Sequence, residues 1–269
     1  MLKKGQDSVT APDTLITQDR FLDGRLSLRQ MKHGPRTAID AFFLAAAVPA
    51  IEGQAERVLD AGTGNGSAGL ALCSRVNDVS VTGVEIQPEL LELSKANACE
   101  NGLQDRFKAL RLDITGPEGA LAKSLLGDEK LDHVMANPPF HDARTTRASD
   151  NPVTARAYTA HPGELEKWME FLKEMTAPGG TLTMIHRADM LDDLLKLFGN
   201  TFGSVSVFPL FPKEGAPSKR VIIQGIKGSK APINLLPGMV LHKTDGAYTN
   251  EANAVLRQVA PIDMSITSR

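Results

Sequence analysis

The middle of the chain alternates between strand patterns and helical patterns, and this alternation constrains the fold more than any other feature. The predicted strands cover residues 57–61, 79–85, 106–114, 131–136 and 181–186. The predicted helices cover residues 67–75, 88–101, 164–176 and 190–198. Strands that alternate with helices form a mostly parallel sheet with helices on both faces, so the predicted fold class is α/β.

The C-terminal part has a different pattern. Two strand patterns, 204–208 and 220–226, are separated only by residues 209–219, and so short a connection favours an antiparallel hairpin. The sequence therefore predicts a seven-stranded, mostly parallel sheet with an antiparallel last strand. A helical apolar run at 38–48 predicts that residues 1–50 form an N-terminal tail and helical extension, and residues 51–269 form the main domain.

Composition narrows the possible classes of protein. A net charge of −2 over 269 residues, with a pI of about 6.3, argues against broad, non-specific binding to nucleic acid. It does not exclude a local basic patch. No apolar run approaches the ~18 residues of a membrane span, and the N-terminus lacks the apolar core of a signal peptide. A cytoplasmic protein is therefore expected. Cys73 and Cys99 lack metal-ligand spacing, so no metal is expected.

A glycine-rich loop follows the first strand of the main domain, at residues 60–66 (DAGTGNG). Such a loop between a strand and a helix lets a ligand approach the main chain closely. Gly64, Gly66 and Gly69 also match the G-x-G-x-x-G pattern of dinucleotide-binding proteins. Glu85, 19 residues after Gly66 at the end of the second strand, would bind ribose hydroxyls in either interpretation.

Asp60 separates these two interpretations. A carboxylate at the mouth of the loop would repel the pyrophosphate of NAD, whereas it would attract an ammonium group and a nearby sulfonium. S-adenosylmethionine carries both cations. Asp113, at the end of the third predicted strand, adds an acceptor for an adenine amine. Acids at the carboxyl ends of successive parallel strands stand where open α/β sheets bind ligands.

The tetrapeptide Asn137-Pro138-Pro139-Phe140 follows the fourth strand. Two consecutive prolines cannot continue a strand, and they form a stiff, extended turn. The amide of Asn137 and the ring of Phe140 are then held at the rim of the sheet. A flat group with an NH2 could stack on the ring while its protons point at the Asn137 Oδ1 atom and the Pro138 carbonyl.

With these motifs the chain resembles the class I S-adenosylmethionine-dependent methyltransferases, which have a Rossmann-like fold. The resemblance rests on DAGTGNG at 60–66, VEIQ at 84–87, LDIT at 112–115 and NPPF at 137–140. In that class, NPPF or NPPY marks enzymes that methylate planar exocyclic nitrogens. The flanks HGPRTAIDAFFLAAAV at 33–48 and VLHKTDGAYTNEANAVLR at 240–257 resemble the bacterial tRNA(Val) adenine-N6 methyltransferase family. NPPFHD at 137–142 also resembles the guanine-N2 ribosomal RNA methyltransferases.

The resemblance implies a role for each matching position. In the catalytic motif, Asn137 and the Pro138 carbonyl would accept the two protons of the amine, Pro139 would stiffen the turn, and Phe140 would stack on the flipped-out base. The implied cofactor-binding residues are Arg36, Thr37, Asp40, Asp60, Gly62, Thr63, Gly64, Gly66, Glu85, Ile86, Asp113, Ile114 and Asn137. Arg36, Thr37 and Asp40 belong to the N-terminal extension, which would close over the methionine end of the cofactor. Thr37 could instead be a helix cap, and Asp40 a first-turn acid.

The predicted function is methyl transfer from S-adenosylmethionine to an exocyclic amine, foremost adenine N6 in tRNA. The enzymatic alternatives are guanine-N2 methylation of ribosomal RNA and N5 methylation of protein glutamine. A cofactor-binding module without catalysis and an NAD-dependent oxidoreductase are the other hypotheses. Arg144, Arg147 and Arg156 follow the NPPF motif and could contact RNA phosphates. Trp168, on an apolar helical face, is predicted to belong to the core.

Overall fold

The computed structural model describes residues 15–117, 131–139, 141–142, 159–160 and 163–265. The chain begins with an antiparallel hairpin, whose strands are β1 (Ile16–Phe21) and β2 (Leu26–Met31). The sequence predicted only a tail and a helix here, so the hairpin was missed. Asp23-Gly24 in its turn is a dipeptide typical of hairpins and could have revealed it.

The other strands, in chain order, are β3 (Arg57–Ala61), β4 (Ser80–Glu85), β5 (Phe107–Arg111), β6 (Leu131–Ala136), β7 (His141–Asp142), β8 (Thr159–Ala160), β9 (Thr176–Arg187), β10 (Phe202–Lys213), β11 (Arg220–Lys227), β12 (Asn234–Leu235) and β13 (Met239–His242). The α-helices are α1 (Ile39–Ala47), α2 (Ser67–Arg75), α3 (Pro88–Glu100), α4 (Glu164–Met175), α5 (Leu191–Phe198) and α6 (Asn250–Gln258). The helices predicted from sequence agree with these bounds to within two residues. The division of the chain at residue 50 stays a prediction.

Within the described residues the central sheet has nine strands, and seven of them form the predicted sheet. Their order is β10-β11-β9-β6-β3-β4-β5, and β11, the last of the seven along the chain, runs antiparallel to both its neighbours. The predicted mostly parallel sheet with an antiparallel last strand is therefore confirmed. The short strands β12 and β13, which were not predicted, pair with β10 in parallel at its outer edge.

Apolar side chains cover both faces of this sheet. Successive residues of a strand point to opposite faces, so Val58 packs with α1 and α2 whereas Leu59 packs with α4 and α5. Helix α1 is buried from Asp40 to Ala47, since the sheet, α2 and α6 all contact it. No helix within the described residues is long and apolar enough to cross a membrane.

The order of the strands determines where a ligand can bind. The chain moves from β3 to β4 and β5 on one side of the sheet, and β6 and β9 lie on the other side. Loops that leave β3 and β6 therefore turn in opposite directions, and a crevice opens between them at the carboxyl ends of the strands.

Candidate active site

A cleft lies in this crevice, and most of the predicted site residues line it. These are Arg36, Thr37, Asp40, Asp60, Gly62, Thr63, Gly64, Glu85, Ile86, Asp113, Ile114, Asn137 and Pro139. Gly66, the last residue of the glycine loop and the residue before α2, is not part of the lining, and Pro138 is buried outside it. Phe140 lies outside the described residues, as do Arg144, Arg147 and Arg156. The binding and catalytic roles of these residues stay predictions.

The glycine loop between β3 and α2 is held by main-chain bonds to the next strand. The N–H groups of Gly62 and Thr63 both donate to the carbonyl of Val84, at 2.9 and 3.0 Å. Gly62 has a φ of +69°, and a Cβ built there would lie 2.5 Å from the Cη2 atom of Trp168. Gly64 has a φ of +58°, and a Cβ there would meet no described atom within 4 Å. The main chain at Gly64 is therefore open to a ligand.

Asp60 lies beneath the glycine loop rather than at its mouth. The side chain is buried, and its Oδ2 atom accepts hydrogen bonds from the Thr63 hydroxyl at 2.6 Å and the Gly69 N–H at 3.1 Å. Burial raises the pKa of Asp60 to about 6, against the effect of these two donors. The carboxylate thus ties the start of the loop to helix α2, a structural role that the sequence did not reveal.

Glu85 presents a carboxylate at the end of β4. Its Oε2 atom accepts from the Gly64 N–H at 3.0 Å, and its Oε1 atom accepts from the N–H groups of Ile86 and Gln87, both at 2.9 Å. Three main-chain donors therefore fix this carboxylate beside the open part of the glycine loop. Ionised carboxylates have only acceptor sites, so this position suits ligand hydroxyl groups.

Asp113 lies in a turn two residues beyond β5, which ends earlier than predicted. Its Oδ1 atom accepts from the N–H and the hydroxyl of Thr115, at 3.0 and 2.9 Å. Apolar side chains of Ile86, Leu112 and Ile114 line the same part of the cleft. An acceptor between apolar walls is the environment that a purine ring with an exocyclic amine would need.

Residues 34–38, here called the strap, lie between the hairpin and α1, and residues 35–38 line the cleft. The Arg36 guanidinium pairs with Asp19 at 2.7 Å, and the Thr37 hydroxyl accepts from the Asn65 side chain at 3.1 Å. The cap interpretation of Thr37 is wrong, because Ala38 precedes the first residue of α1 and no side chain caps that end. Asp40 lies in the first turn of α1 and pairs with Arg220 at 2.8 Å.

Asn137 lies at the end of β6, in the wall of the cleft. Its Oδ1 atom is buried and has no hydrogen-bond partner within the part of the chain that the structure describes. A buried acceptor without a donor carries a free-energy cost of about 1–3 kcal/mol. Asn137 Oδ1 is therefore a natural acceptor for a donor that arrives with a ligand.

The sequence missed several residues of the site. Asn65, within the glycine loop, contacts the strap, and Trp168 and Glu164 of α4 line the cleft near Asn137. Trp168 is buried as predicted, yet its ring also forms a cleft wall against Gly62. Because the contacts of α4 with the loop are made only in the folded chain, no local pattern separated these residues from the core.

Comparisons with known proteins agree with this geometry. Residues 39–165 match the family model described as the methyltransferase small domain. This part of the chain is therefore similar to the methyltransferase small domain. The chain is 32% identical over 151 residues to a tRNA1(Val) (adenine(37)-N6)-methyltransferase of Porphyromonas gingivalis, a match that covers 56% of this chain and 57% of the relative. It is 27% identical over 150 residues to a release factor glutamine methyltransferase of Aliivibrio fischeri, covering 54% and 50% of the two chains. The chain thus matches about half the length of these relatives.

Solved structures share the fold. A structure from Agrobacterium tumefaciens, described as a predicted O-methyltransferase, superposes with a TM-score of 0.68 at 25% identity, covering 83% of this chain and 98% of that one. A S-adenosylmethionine-dependent O-methyltransferase from Thermotoga maritima gives a TM-score of 0.51 at 18% identity, covering 74% and 68%. The protein therefore has the class I, Rossmann-like methyltransferase fold that the sequence predicted.

The match to a methyltransferase small domain implies S-adenosylmethionine as the cofactor. The cleft fits S-adenosylmethionine, because the main chain is open at Gly64. Glu85 and Asp113 offer hydrogen-bond acceptors, and apolar side chains line the same cleft. Among the described residues, no three His, Cys, Asp or Glu side chains form a group that could hold a metal ion.

Proposed function

We propose that this protein transfers a methyl group from S-adenosylmethionine to the exocyclic N6 amine of adenine in a tRNA. The observation that carries this proposal is the buried Asn137 Oδ1 atom, which lines the cleft without a donor among the described residues. An amide oxygen accepts hydrogen bonds and cannot remove a proton as a base would. It therefore suits an acceptor group that itself carries N–H protons.

Bound S-adenosylmethionine supplies an electrophilic methyl group on a sulfonium. Glu85 would accept hydrogen bonds from ribose hydroxyls and Asp113 from the adenine amine of the cofactor, and the strap residues Arg36 and Thr37 line the same cleft. These contacts would orient the cofactor so that its methionine end points toward Asn137.

Asn137 acts on the nitrogen that receives the methyl group. The lone pair of an aromatic amine is delocalised into its ring, so the amine is a poor nucleophile. Hydrogen bonds from its two protons to Asn137 Oδ1 and the Pro138 carbonyl would favour a tetrahedral nitrogen and free the lone pair for attack. As the nitrogen–carbon bond forms, the sulfur–carbon bond would break, and the cationic nitrogen would then release one proton to water. Orientation and fixed acceptors then provide the rate enhancement. Phe140 would stack on the target base.

The likeness to a tRNA adenine-N6 methyltransferase supports adenine as the target, and the likeness to a glutamine methyltransferase supports a second candidate. A glutamine side chain also presents a planar NH2 group, and Asn137 would bind it in the same way. Oxygen methylation, given in the descriptions of the structural neighbours, uses a hydroxyl acceptor that must lose its proton to a base, and the amide of Asn137 cannot act as that base.

The test is incubation of the protein with isotope-labelled S-adenosylmethionine and separated tRNA, ribosomal RNA and protein fractions. Nucleoside analysis of the tRNA should find the label in N6-methyladenosine. Label in N2-methylguanosine of ribosomal RNA, or in N5-methylglutamine of a protein, would replace the proposed target with the corresponding alternative.

A further inference from the structure

Gln30 is a buried polar residue outside the cleft that bonds to the wall of the cleft. Its side chain is 2% exposed and belongs to β2 of the hairpin. The Oε1 atom accepts from the Thr37 N–H at 2.6 Å, and the Nε2 atom donates to Asp19 Oδ2 at 2.7 Å. Since a main-chain N–H only donates and a carboxylate only accepts, a single orientation of the amide satisfies both neighbours.

Besides the bond from Gln30 to Thr37, a second bond connects the hairpin to the strap, and Asp19 makes it. Its Oδ2 atom also accepts from the Arg36 guanidinium at 2.7 Å. Two consecutive strap residues are thus attached to the same carboxylate, Arg36 directly and Thr37 through Gln30. The side chain of Arg36 is 46% exposed, so this ion pair alone would contribute little.

The other side of the strap touches the glycine loop. The Thr37 hydroxyl accepts from Asn65 Nδ2 at 3.1 Å, and both residues line the cleft. A chain of hydrogen bonds therefore runs from Asp19 through Gln30 and Thr37 to the loop. All three bonds of this chain are partly buried from solvent, where hydrogen bonds are strongest.

We propose that Gln30 is a positioning residue for the cofactor site: it fixes the main chain of Thr37 and so holds the strap against the glycine loop. The inference rests on the proposed use of S-adenosylmethionine. A strap without this anchor would have to become ordered when the ligand binds, and the entropy lost in ordering would weaken binding.

The proposed role of Gln30 requires a side-chain amide, which accepts from Thr37 and donates to Asp19. Gln30→Glu keeps the length of the side chain but sets a carboxylate against Asp19, so the two acids repel each other. Gln30→Met keeps the approximate volume but leaves the Thr37 N–H without its acceptor. Both variants should therefore release the strap while the apolar packing of the hairpin is retained.

The experiment is calorimetric titration of S-adenosylmethionine into the full chain at pH 8, 7 and 6. Both variants should raise the Kd by about 10- to 100-fold over wild type at pH 8. For Gln30→Glu the ratio to wild type should shrink toward pH 6, because protonation of the introduced, buried carboxyl group weakens its repulsion of Asp19. For Gln30→Met the ratio should stay constant. A purely structural defect would give no such difference.

The matched control is Gln18→Glu. Gln18 lies on the same hairpin, is exposed, and donates to Glu100 at 2.9 Å, so this change also sets a carboxylate against an acid, but away from the strap. Its Kd should equal that of wild type. A loss as large as that of Gln30→Glu would overturn the proposal, as would wild-type affinity in both Gln30 variants.

Circular dichroism establishes that each variant folds. If neither Gln30 variant folds, Asp19→Asn at the partly exposed end of the chain of bonds replaces them, and unchanged affinity in that variant contradicts the proposal. Wild-type protein that does not bind S-adenosylmethionine at all contradicts the proposed function itself, and the role of Gln30 with it.

Discussion

Asn97 of α3 pairs with both main-chain groups of Arg29 in β2. Its Oδ1 atom accepts from the Arg29 N–H at 2.7 Å, and its Nδ2 atom donates to the Arg29 carbonyl at 3.2 Å. One helical turn later, Asn101 makes the same two bonds to Ser27, at 2.8 and 2.7 Å. Two side-chain amides thus take the place of a neighbouring strand, and they attach the hairpin to the methyltransferase core.

Replacing Asn97 with leucine should lower the free energy of unfolding by about 1–3 kcal/mol, because the main-chain groups of Arg29 and the carbonyl of Asn65 lose their partner. Urea denaturation measures this difference. Asn200→Leu, in an exposed turn, is the control and should change stability by about 0.5 kcal/mol or less. Equal effects of the two substitutions would contradict the role given to Asn97.

Asn137→Ala should reduce the turnover number by at least about 100-fold, since the amine loses an acceptor that orients it. The Kd for S-adenosylmethionine should change by no more than a few-fold, because Glu85 and the glycine loop remain. Single-turnover kinetics and calorimetry measure the two quantities. Loss of cofactor affinity with unchanged turnover at saturation would assign Asn137 to cofactor binding instead.

Gly62→Ala should both destabilise the fold and weaken cofactor binding. The new Cβ would lie 2.5 Å from Trp168 Cη2 and would occupy a residue with a φ of +69°. Gly179→Ala is a matched control, because it has a φ of +80° and no described atom within 4 Å of the new Cβ. The loss of stability in Gly179→Ala therefore measures the cost of the backbone strain alone, without a steric clash.

The clash with Trp168 can be tested separately. In a double-mutant cycle, Trp168→Leu should recover part of the stability lost in Gly62→Ala, since the ring edge that meets the new Cβ is removed. Strictly additive free energies of unfolding would show that the two residues do not meet as the structure indicates.

Asp60 should make the protein less stable as pH rises from about 4 to 6.5. Its pKa is raised from 3.8 to about 6 by burial, so in this window the folded state binds more protons than the unfolded state, and stability falls with increasing pH. A shift of this size corresponds to roughly 3 kcal/mol. Asp60→Asn removes this dependence, so its stability relative to wild type should improve by up to that amount between pH 4 and 7.

His186 has the opposite effect on the pH dependence of stability. The Asp60 contribution must therefore be measured as a difference between the variant and wild type. Burial, with Arg187 and Arg220 nearby, lowers the pKa of His186 from 6.5 to about 4. The unfolded state therefore binds more protons in the same window, and stability falls as pH decreases. Urea denaturation of both proteins at each pH cancels this contribution. If the free energies of unfolding of Asp60→Asn and wild type differed by the same amount at every pH, the raised pKa of Asp60 would be contradicted.

The parts of the fold that were predicted correctly share a physical basis. Strands β3, β4 and β6 and helices α2 and α3 are encoded by short runs of neighbouring residues, and parallel order follows from their alternation. The positions of Glu85 and Asn137 followed as well, because the carboxyl ends of adjacent parallel strands meet at one edge. That Glu85 and Asn137 lie beside one cleft could be predicted without information about side-chain contacts.

The missed parts depend on contacts between distant segments. The hairpin has no continuous apolar run, and it is attached to α3 through asparagine side chains about 70 residues away. The short strands β12 and β13 add to an edge that exists only once β10 is in place. Local patterns carry little information about such elements.

The sequence by itself determined a mostly parallel α/β sheet, a glycine loop, and the acids and amide at the ends of its strands, since these follow from the order of residues along the chain. Only the tertiary structure decided that Asp60 lies beneath the loop and that Gln30 holds the strap. Both assignments depend on which groups are buried together, and burial is settled by the packing of the hairpin, α3 and the loop against one another.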